Sequence, residues 1–267
     1  MRSLWKGALS FGLVNIPVKL YTATQNKDIH FRYLHQECSS PVQYRKFCPV
    51  CNQNIEPDEI VHGYEYQKGR FVVIEDEDLS QLPRNTTHTI DILDFVDLAQ
   101  VDPVYFDKSY YLEPAAGGEK AYALLIKAME TTAKTAIAKI VIRTRQNLAA
   151  IRVRRDVLIL ETMFYPDEIR DPAHLDINLD QVNLHENEIK MALSLIDNLG
   201  TNFDANRYHN EYRQALWEVI QNKVAGRQVV EKPTAPDAVP VVDLMEALKA
   251  SVKLAQETRQ PEAERVH

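Results

Sequence analysis

In short runs across the first two thirds of the chain, apolar residues recur at every second position, a spacing that suits extended strands rather than helices. Val14, Ile16, Val18 and Leu20 alternate in this way, and Pro17 among them predicts an edge or bulged strand. Residues 63–67 and 70–74 flank Lys68-Gly69 and predict a hairpin with a tight turn. Further strands are predicted over 88–96, 103–112, 137–145, 148–154 and 157–164, each bounded by polar or proline-containing breaks. One helical spacing interrupts them, with Ala121, Leu124, Leu125 and Ala128 forming a stripe within 119–131. Many non-repeating strands with one early helix predict a barrel-like core carrying insertions.

In the last third the period changes. Ile189, Ala192, Leu193, Ile196 and Leu199 repeat at i, i+3, i+4 and i+7, and Gly200 supplies a stop. Tyr208, Tyr212, Leu216, Val219 and Ile220 mark a second helix ending near Gly226. A linker follows over 227–241, extended rather than packed because three prolines fall within 231–240. Asp243 is then placed to cap a helix whose apolar stripe is Leu244, Leu248, Val252 and Ala255. A short amphipathic helix on a tether cannot bury its stripe alone, so it docks on its own domain or on a partner. The expected organisation is mixed β with C-terminal helices: a core over 1–226, a linker over 227–241 and a terminal helical segment over 242–267.

Composition narrows the function classes. Hydrophobic residues are 45% and charged residues 26% of the 267, ordinary for a chain that buries a core. No uncharged apolar run reaches the roughly 18 residues of a membrane helix. The N-terminus has no apolar block followed by a small-residue cleavage site, so the expectation is a cytoplasmic protein without a membrane partner. Glycine is scarce at 8 residues, none in a phosphate-cradling pattern, which argues against nucleotide-driven chemistry and leaves no small-molecule substrate indicated. The net charge of −7 hides its distribution. Residues 1–55 hold 7 basic and 2 acidic groups, residues 103–160 hold 10 and 5, and residues 56–102 between them hold 3 and 12. Such blocks suit a molecule with one positive and one negative surface, and phosphate binding depends on local potential rather than total charge.

Three cysteines are too few for a disulfide scaffold. Cys48-Pro-Val-Cys51 is a thiol pair spaced by two residues, and His35-Gln-Glu-Cys38 is a second donor pair with the same spacing. Four such donors in a tetrahedron suit zinc, and four protein ligands leave no open position, so the expected zinc is structural. The alternatives are a redox dithiol, or buried cysteines beside a surface histidine. A redox dithiol wants a helix N-terminus in a βαβ context, which Pro49 and strand-like flanks do not supply.

Lys139, Arg143 and Arg145 share one parity while Ile140 and Ile142 take the other, so the cations are expected on one sheet face. Arg152 and Arg154 repeat the scheme against Ile151 and Val153, with Arg155 at the edge and only Asp156 as a nearby acid. A charge run is ordinarily a solvated β-face, but such faces mix signs, and like charges side by side are destabilising. An anionic partner is therefore expected. Without interleaved aromatics it would be bound through backbone phosphates rather than bases or single strands. The run Glu75-Asp-Glu-Asp78 has the composition of a nuclease metal cluster, yet adjacent carboxylates diverge, and ahead of Leu79 and Leu82 the run reads as a helix start. His62, His88, His174 and His185 have no serine or cysteine partner pattern, and Tyr110, Tyr111 and Trp217 read as core residues.

The opening Ser3-Leu-Trp-Lys-Gly-Ala-Leu-Ser-Phe-Gly-Leu-Val-Asn-Ile-Pro-Val-Lys-Leu-Tyr21 closely resembles the start of the bacterial Ku proteins. The likeness continues through Leu34-His35 and Cys38, Tyr44-Arg45, Cys48-Pro-Val-Cys51, Gly63-Tyr-Glu-Tyr66 and Glu77-Asp78-Leu79. It reaches Tyr165-Pro-Asp-Glu168 and Asp243-Leu-Met-Glu-Ala-Leu248, nearly the whole chain. The resemblance implies a non-enzymatic, nucleoid-associated protein that binds double-stranded DNA ends in non-homologous end joining. It implies a homodimer in which a Ku-type β-barrel core and a strand-built bridge from each subunit close a ring, with helical arms joining the subunits. It also implies recruitment of a multifunctional ATP-dependent DNA ligase by the C-terminal segment, here Leu244, Leu248 and Val252. Arg143, Arg145, Arg152, Arg154 and Arg155 are then the leading phosphate contacts, followed by Lys139, Arg45 and Lys46, with Zn2+ on His35, Cys38, Cys48 and Cys51. Many relatives carry a Lys-rich tail after that helix, whereas here only Lys249, Lys253, Arg259 and Arg265 fall in this region. The four zinc ligands are not universal in the family. The rival reading is a zinc-ribbon transcription regulator that recognises internal sites.

Overall fold

The structure is a computed structural model that describes residues 1–75, 77–78, 88–179, 182–226 and 245–253. Its strands are β1 (Trp5–Phe11), β2 (Val14–Thr22), β3 (Phe47–Cys48), β4 (Gln53–Asn54), β5 (His62–Gln67), β6 (Arg70–Ile74) and β7 (Thr89–Asp97). They continue with β8 (Phe106–Pro114), β9 (Lys134–Ile142), β10 (Arg145–Arg154) and β11 (Val157–Met163). The helices are α1 (Glu119–Thr132), α2 (Glu186–Leu199) and α3 (Glu211–Val224), with a further helical stretch over 245–253. The chain divides into two compact units, Met1–Asp171 and Pro172–His267, so the division falls inside the 1–226 segment expected as one core.

In the first unit seven strands close a barrel in the order β1-β2-β8-β11-β10-β9-β7. β1 and β7 pair in parallel and every other pair is antiparallel. The period of two in the sequence is what fills it. Leu9, Ile16, Val18, Leu20, Ile90, Leu112, Ile140, Ile151, Leu158 and Leu160 point inward and are at most 1% exposed. Each such burial stabilises the fold by about 1.5–3 kcal/mol. Gly7 is required by its surroundings, because a Cβ there would meet the His88 carbonyl and the Trp5 ring.

Two expectations are corrected here. Pro17 lies on a strand flanked on both sides, not on an edge. The ladder between β2 and β8 starts only at Val18, opposite Pro114, and the Pro17 carbonyl accepts from the Ala115 N–H, so the missing proline N–H faces a site where strand pairing has ended. In α1 the buried stripe is Tyr122, Leu125, Ile126 and Met129, while Leu124 and Ala128 stay exposed. Tyr122 sets the rotation: its hydroxyl donates to the Leu112 carbonyl and accepts from the Leu158 N–H, at 2.6 and 2.8 Å. Burial accordingly raises the Tyr122 pKa.

Between β2 and β7 the chain leaves the barrel for a long excursion. It holds two small antiparallel sheets, β3-β4 and β5-β6, and none of residues 23–75 is buried. In the second unit, α2 and α3 stand where the 3.6 period placed them, and again no described residue is buried. Trp217, expected in a core, is 53% exposed on α3. Leu248 and Val252 lie half-buried on the helical stretch 245–253. The expected linker, Asp243, Leu244, Ala255 and residues 254–267 lie outside the described residues, as do Asp76, Leu79 and Leu82. Among the described residues no helix is long and apolar enough to cross a membrane.

Candidate nucleic-acid interface

The meander β9-β10-β11 carries most of the cations singled out from sequence, but it does not gather them on one face. Arg145 pairs with Ile142, so the strand has already turned when Arg145 is reached. Arg143 and Thr144 are the turn itself, and Arg145 falls on the parity of the inward-facing Ala149 and Ile151, beyond the end of the barrel core. Lys139 lies on the outer face, opposite Asp91 of β7. Arg152 on the outer face of β10 is bound at 2.6 Å to Glu161 of β11, whose carboxylate also accepts from the Ser109 hydroxyl at 3.4 Å. The outer face therefore mixes signs, as an ordinary sheet face does. Both acids come from neighbouring strands, which alternation within one strand does not reveal.

What remains is two arginine pairs at opposite tips. Arg143 and Arg145 sit at the β9–β10 turn; Arg154 and Arg155 sit at the β10–β11 turn, where Arg154 pairs with Val157. A ten-residue strand separates them, about 30 Å at the usual rise. All four are exposed, and no ion pair among the described residues involves them. Each tip holds an arginine in the left-handed region, Arg143 at φ 59° and Arg155 at φ 48°, the latter followed by Asp156 at φ 61°. Hairpin turns of this kind favour Asn and Gly, and a longer L-residue there costs about 1 kcal/mol. Tyr110 lies near the first tip. Burial raises its pKa and Asp107 adds to this, while the Arg143 charge works the other way. Tyr110 is buried as expected; its neighbour Tyr111 points outward and is only half-buried.

Arg45 and Lys46 are exposed in the excursion, just ahead of β3. The cysteine and histidine pairs lie on either side of them. Cys48 and Cys51 bracket the turn of the β3–β4 hairpin, and the left-handed Asn52 follows Cys51. His35 and Cys38 bracket a second turn closed by the Leu34–Pro41 bridge, and the left-handed Ser39 follows Cys38. The two turns are thus alike in construction. Within the first pair His35 Nδ1 and Cys38 Sγ are 3.2 Å apart. The Cys38 thiol is lowered in pKa, chiefly by a hydrogen bond with the Ser40 side chain, and the Cys48 thiol by the Cys51 backbone N–H. A hydrogen bond with Cys48 raises the Cys51 thiol instead. The donor chemistry fits zinc, but the expected set of four is not assembled: among the described residues no group of three or more His, Cys, Asp or Glu stands close enough to hold a metal.

The acidic run is accounted for locally. The Glu75 N–H donates to Asp78 at 3.0 Å, and residues 77–78 are helical, which is the helix-start reading. His88 packs near Trp5, and His185 precedes the first turn of α2.

Residues 10–191 match the family model described as the Ku70/Ku80 beta-barrel domain. Relatives in several bacteria bear the name Non-homologous end joining protein Ku. That of Symbiobacterium thermophilum is 51% identical over 97% of this chain, which spans 64% of the relative's length. That of Desulfitobacterium hafniense is 44% identical over 97% of this chain and 90% of its own length. That of Bacillus subtilis is 43% identical over 99% of this chain and 85% of its own. With six of the seven barrel strands and the end of β1 inside the matched region, and identity sustained over nearly the whole sequence, the chain belongs to the bacterial Ku family.

Proposed function

We propose that two copies of this chain form a non-enzymatic ring that binds and encircles double-stranded DNA ends in break repair by non-homologous end joining. The observation that carries the reading is the pair of exposed arginine tips on the barrel meander, each with one left-handed arginine and neither with an ion pair among the described residues. Cations on such tips reach phosphates and carry no base identity, so binding is independent of sequence. Arg143, Arg145, Arg154 and Arg155 are the main contacts; Arg45 and Lys46 add to them from the excursion, and Lys139 and Arg152 contribute less because acids face them. The names of the relatives support the repair role.

Two further observations support the assembly. α2 leaves Ile189, Leu193, Ile196 and Leu199 exposed in one stripe, and a 14-residue helix is marginal alone, so α2 and α3 serve as the arms that pair with a second copy. None of the described residues of the excursion is buried, which suits a bridge completed by the DNA it crosses and by a structural zinc on His35, Cys38, Cys48 and Cys51. The helical stretch 245–253 with Leu248 and Val252 is the contact for an ATP-dependent DNA ligase. The protein acts in the cytoplasm on the nucleoid.

A gel-shift competition tests the ring. A labelled blunt duplex is challenged with equal masses of linear plasmid and of closed relaxed plasmid. Only the linear form should compete, in proportion to its ends. Equal competition by the closed circle per base pair would transfer the reading to a zinc-ribbon regulator of internal sites.

A further inference from the structure

Beside the second arginine tip the structure assigns a site for single-stranded DNA, an unpaired extension of the end that the ring is proposed to hold; the inference rests on that DNA-end reading. An open groove of about 830 Å³ is lined by Tyr21, Tyr111, Pro114, Arg154, Arg155 and Val157, among others. That volume suits a ligand of nucleotide size.

Its construction follows from the strand register. Tyr21 of β2 and Tyr111 of β8 are direct cross-strand partners, both half-buried on the outer face, so two aromatic side chains border the groove. Two residues along the same strands lies a charged row, Lys19 opposite Glu113, and Arg154 continues it at the β10–β11 turn. Two residues of strand is about 7 Å, the reach from a base to its own phosphate. The Tyr21 hydroxyl donates to Glu113 at 2.6 Å, and Lys19 adds an ion pair at 3.4 Å. These contacts hold the Tyr21 hydroxyl and engage Glu113; Asp156, the other acid of the lining, follows Arg155 in the turn and makes no ion pair among the described residues. Paired aromatic faces bordered by unpaired arginines are what a sequence-tolerant single strand requires, the rings for bases and the guanidiniums for phosphates. Sequence reading dismissed single strands because no aromatics interleave with the cations along the chain. The barrel brings them together from three strands, β2, β8 and β10, and the β10–β11 turn.

The test uses the full chain in fluorescence anisotropy with a labelled blunt duplex and the same duplex carrying a short single-stranded dT extension. The extension should tighten binding about tenfold, the effect of stacking roughly one base. Tyr111→Leu should reduce that gain to nothing and leave the blunt duplex bound as before, while Tyr111→Phe keeps it. Equal affinity for the two probes in the unaltered chain overturns the groove and leaves the ring intact, whereas failure to bind the blunt duplex overturns the ring. Photocrosslinking from 4-thiothymidine in the extension needs no variant: adducts within 14–22 or 106–114 support the groove, and adducts confined to other segments refute it. Displacement of a dT oligonucleotide by a Glu/Tyr copolymer at equal charge would make this a peptide site instead.

Discussion

Leu160 in β11 and Leu193 in α2 are the same side chain in the middle of regular elements, yet one is fully buried and the other is 56% exposed. A closed sheet turns its strands' inner faces toward each other and so supplies its own second layer. A helix stripe has no such partner built in, and α2 keeps Ile189, Leu193, Ile196 and Leu199 at 45–65% exposure. The barrel is complete as a folding unit, whereas the helices are complete only with something laid against them. The excursion has neither kind of closure: it holds small sheets and two matched turns carrying sulfur and imidazole donors, and none of its described residues is buried.

The widest gap between the regions should appear on truncating these two leucines. Leu160→Ala should lower stability by about 2–5 kcal/mol in urea unfolding, since the closed core cannot collapse around the lost volume. Leu193→Asp should leave the barrel's unfolding transition in place while light scattering shows the dimer mass replaced by that of the monomer. A Leu193→Asp chain that remains dimeric would remove α2 from the interface, and the comparison would then rest on the barrel alone.

A smaller effect is expected in the excursion. Elemental analysis should find about one zinc per chain, and chelation should speed proteolysis within 23–88 without moving the barrel's melting transition. Protein isolated without chelator and free of zinc would break this part of the comparison, because the excursion would then have to be ordered by DNA alone.

These regions also differ in how far they could be read from sequence. Most strands were legible because a period of two repeats over whole elements; β1, and the two-residue strands β3 and β4, were not predicted. The helices were legible because the period changes to 3.6 past residue 185. The site was legible only in part, and the failures share a cause. Parity counts faces only while the chain runs straight; counted through the Arg143-Thr144 turn, it placed Arg145 on the wrong side. Glu161, which neutralises Arg152, is nine residues away on the next strand, and only the hairpin register makes it a diagonal neighbour, opposite Ala150. Tyr110 and Tyr111 were read as a pair of core residues, although adjacent strand residues must face opposite ways. That signal was present and would have placed Tyr111 on the outer face, but only the β2–β8 register sets it opposite Tyr21. For Trp217 and the α1 stripe the elements were visible, but what lies against them was not.

The finest distinction concerns the arginine tips, which belong to the barrel by connectivity and to the proposed DNA surface by chemistry. At φ 48° Arg155 occupies a conformation that Asn tolerates better. Arg155→Asn should therefore leave the barrel unchanged or raise its stability by up to about 1 kcal/mol in urea unfolding. The same change should weaken binding to every duplex alike and reduce the slope of log affinity against log salt by about one. Those opposite signs would distinguish a residue kept for its partner from Leu160, whose loss costs the fold directly. If duplex affinity and salt slope are unaffected, Arg155 is not a phosphate contact and the proposed DNA surface contracts toward Arg143 and Arg145. Unchanged stability with weakened binding would mean that the turn already relieves the strain, leaving only the electrostatic role.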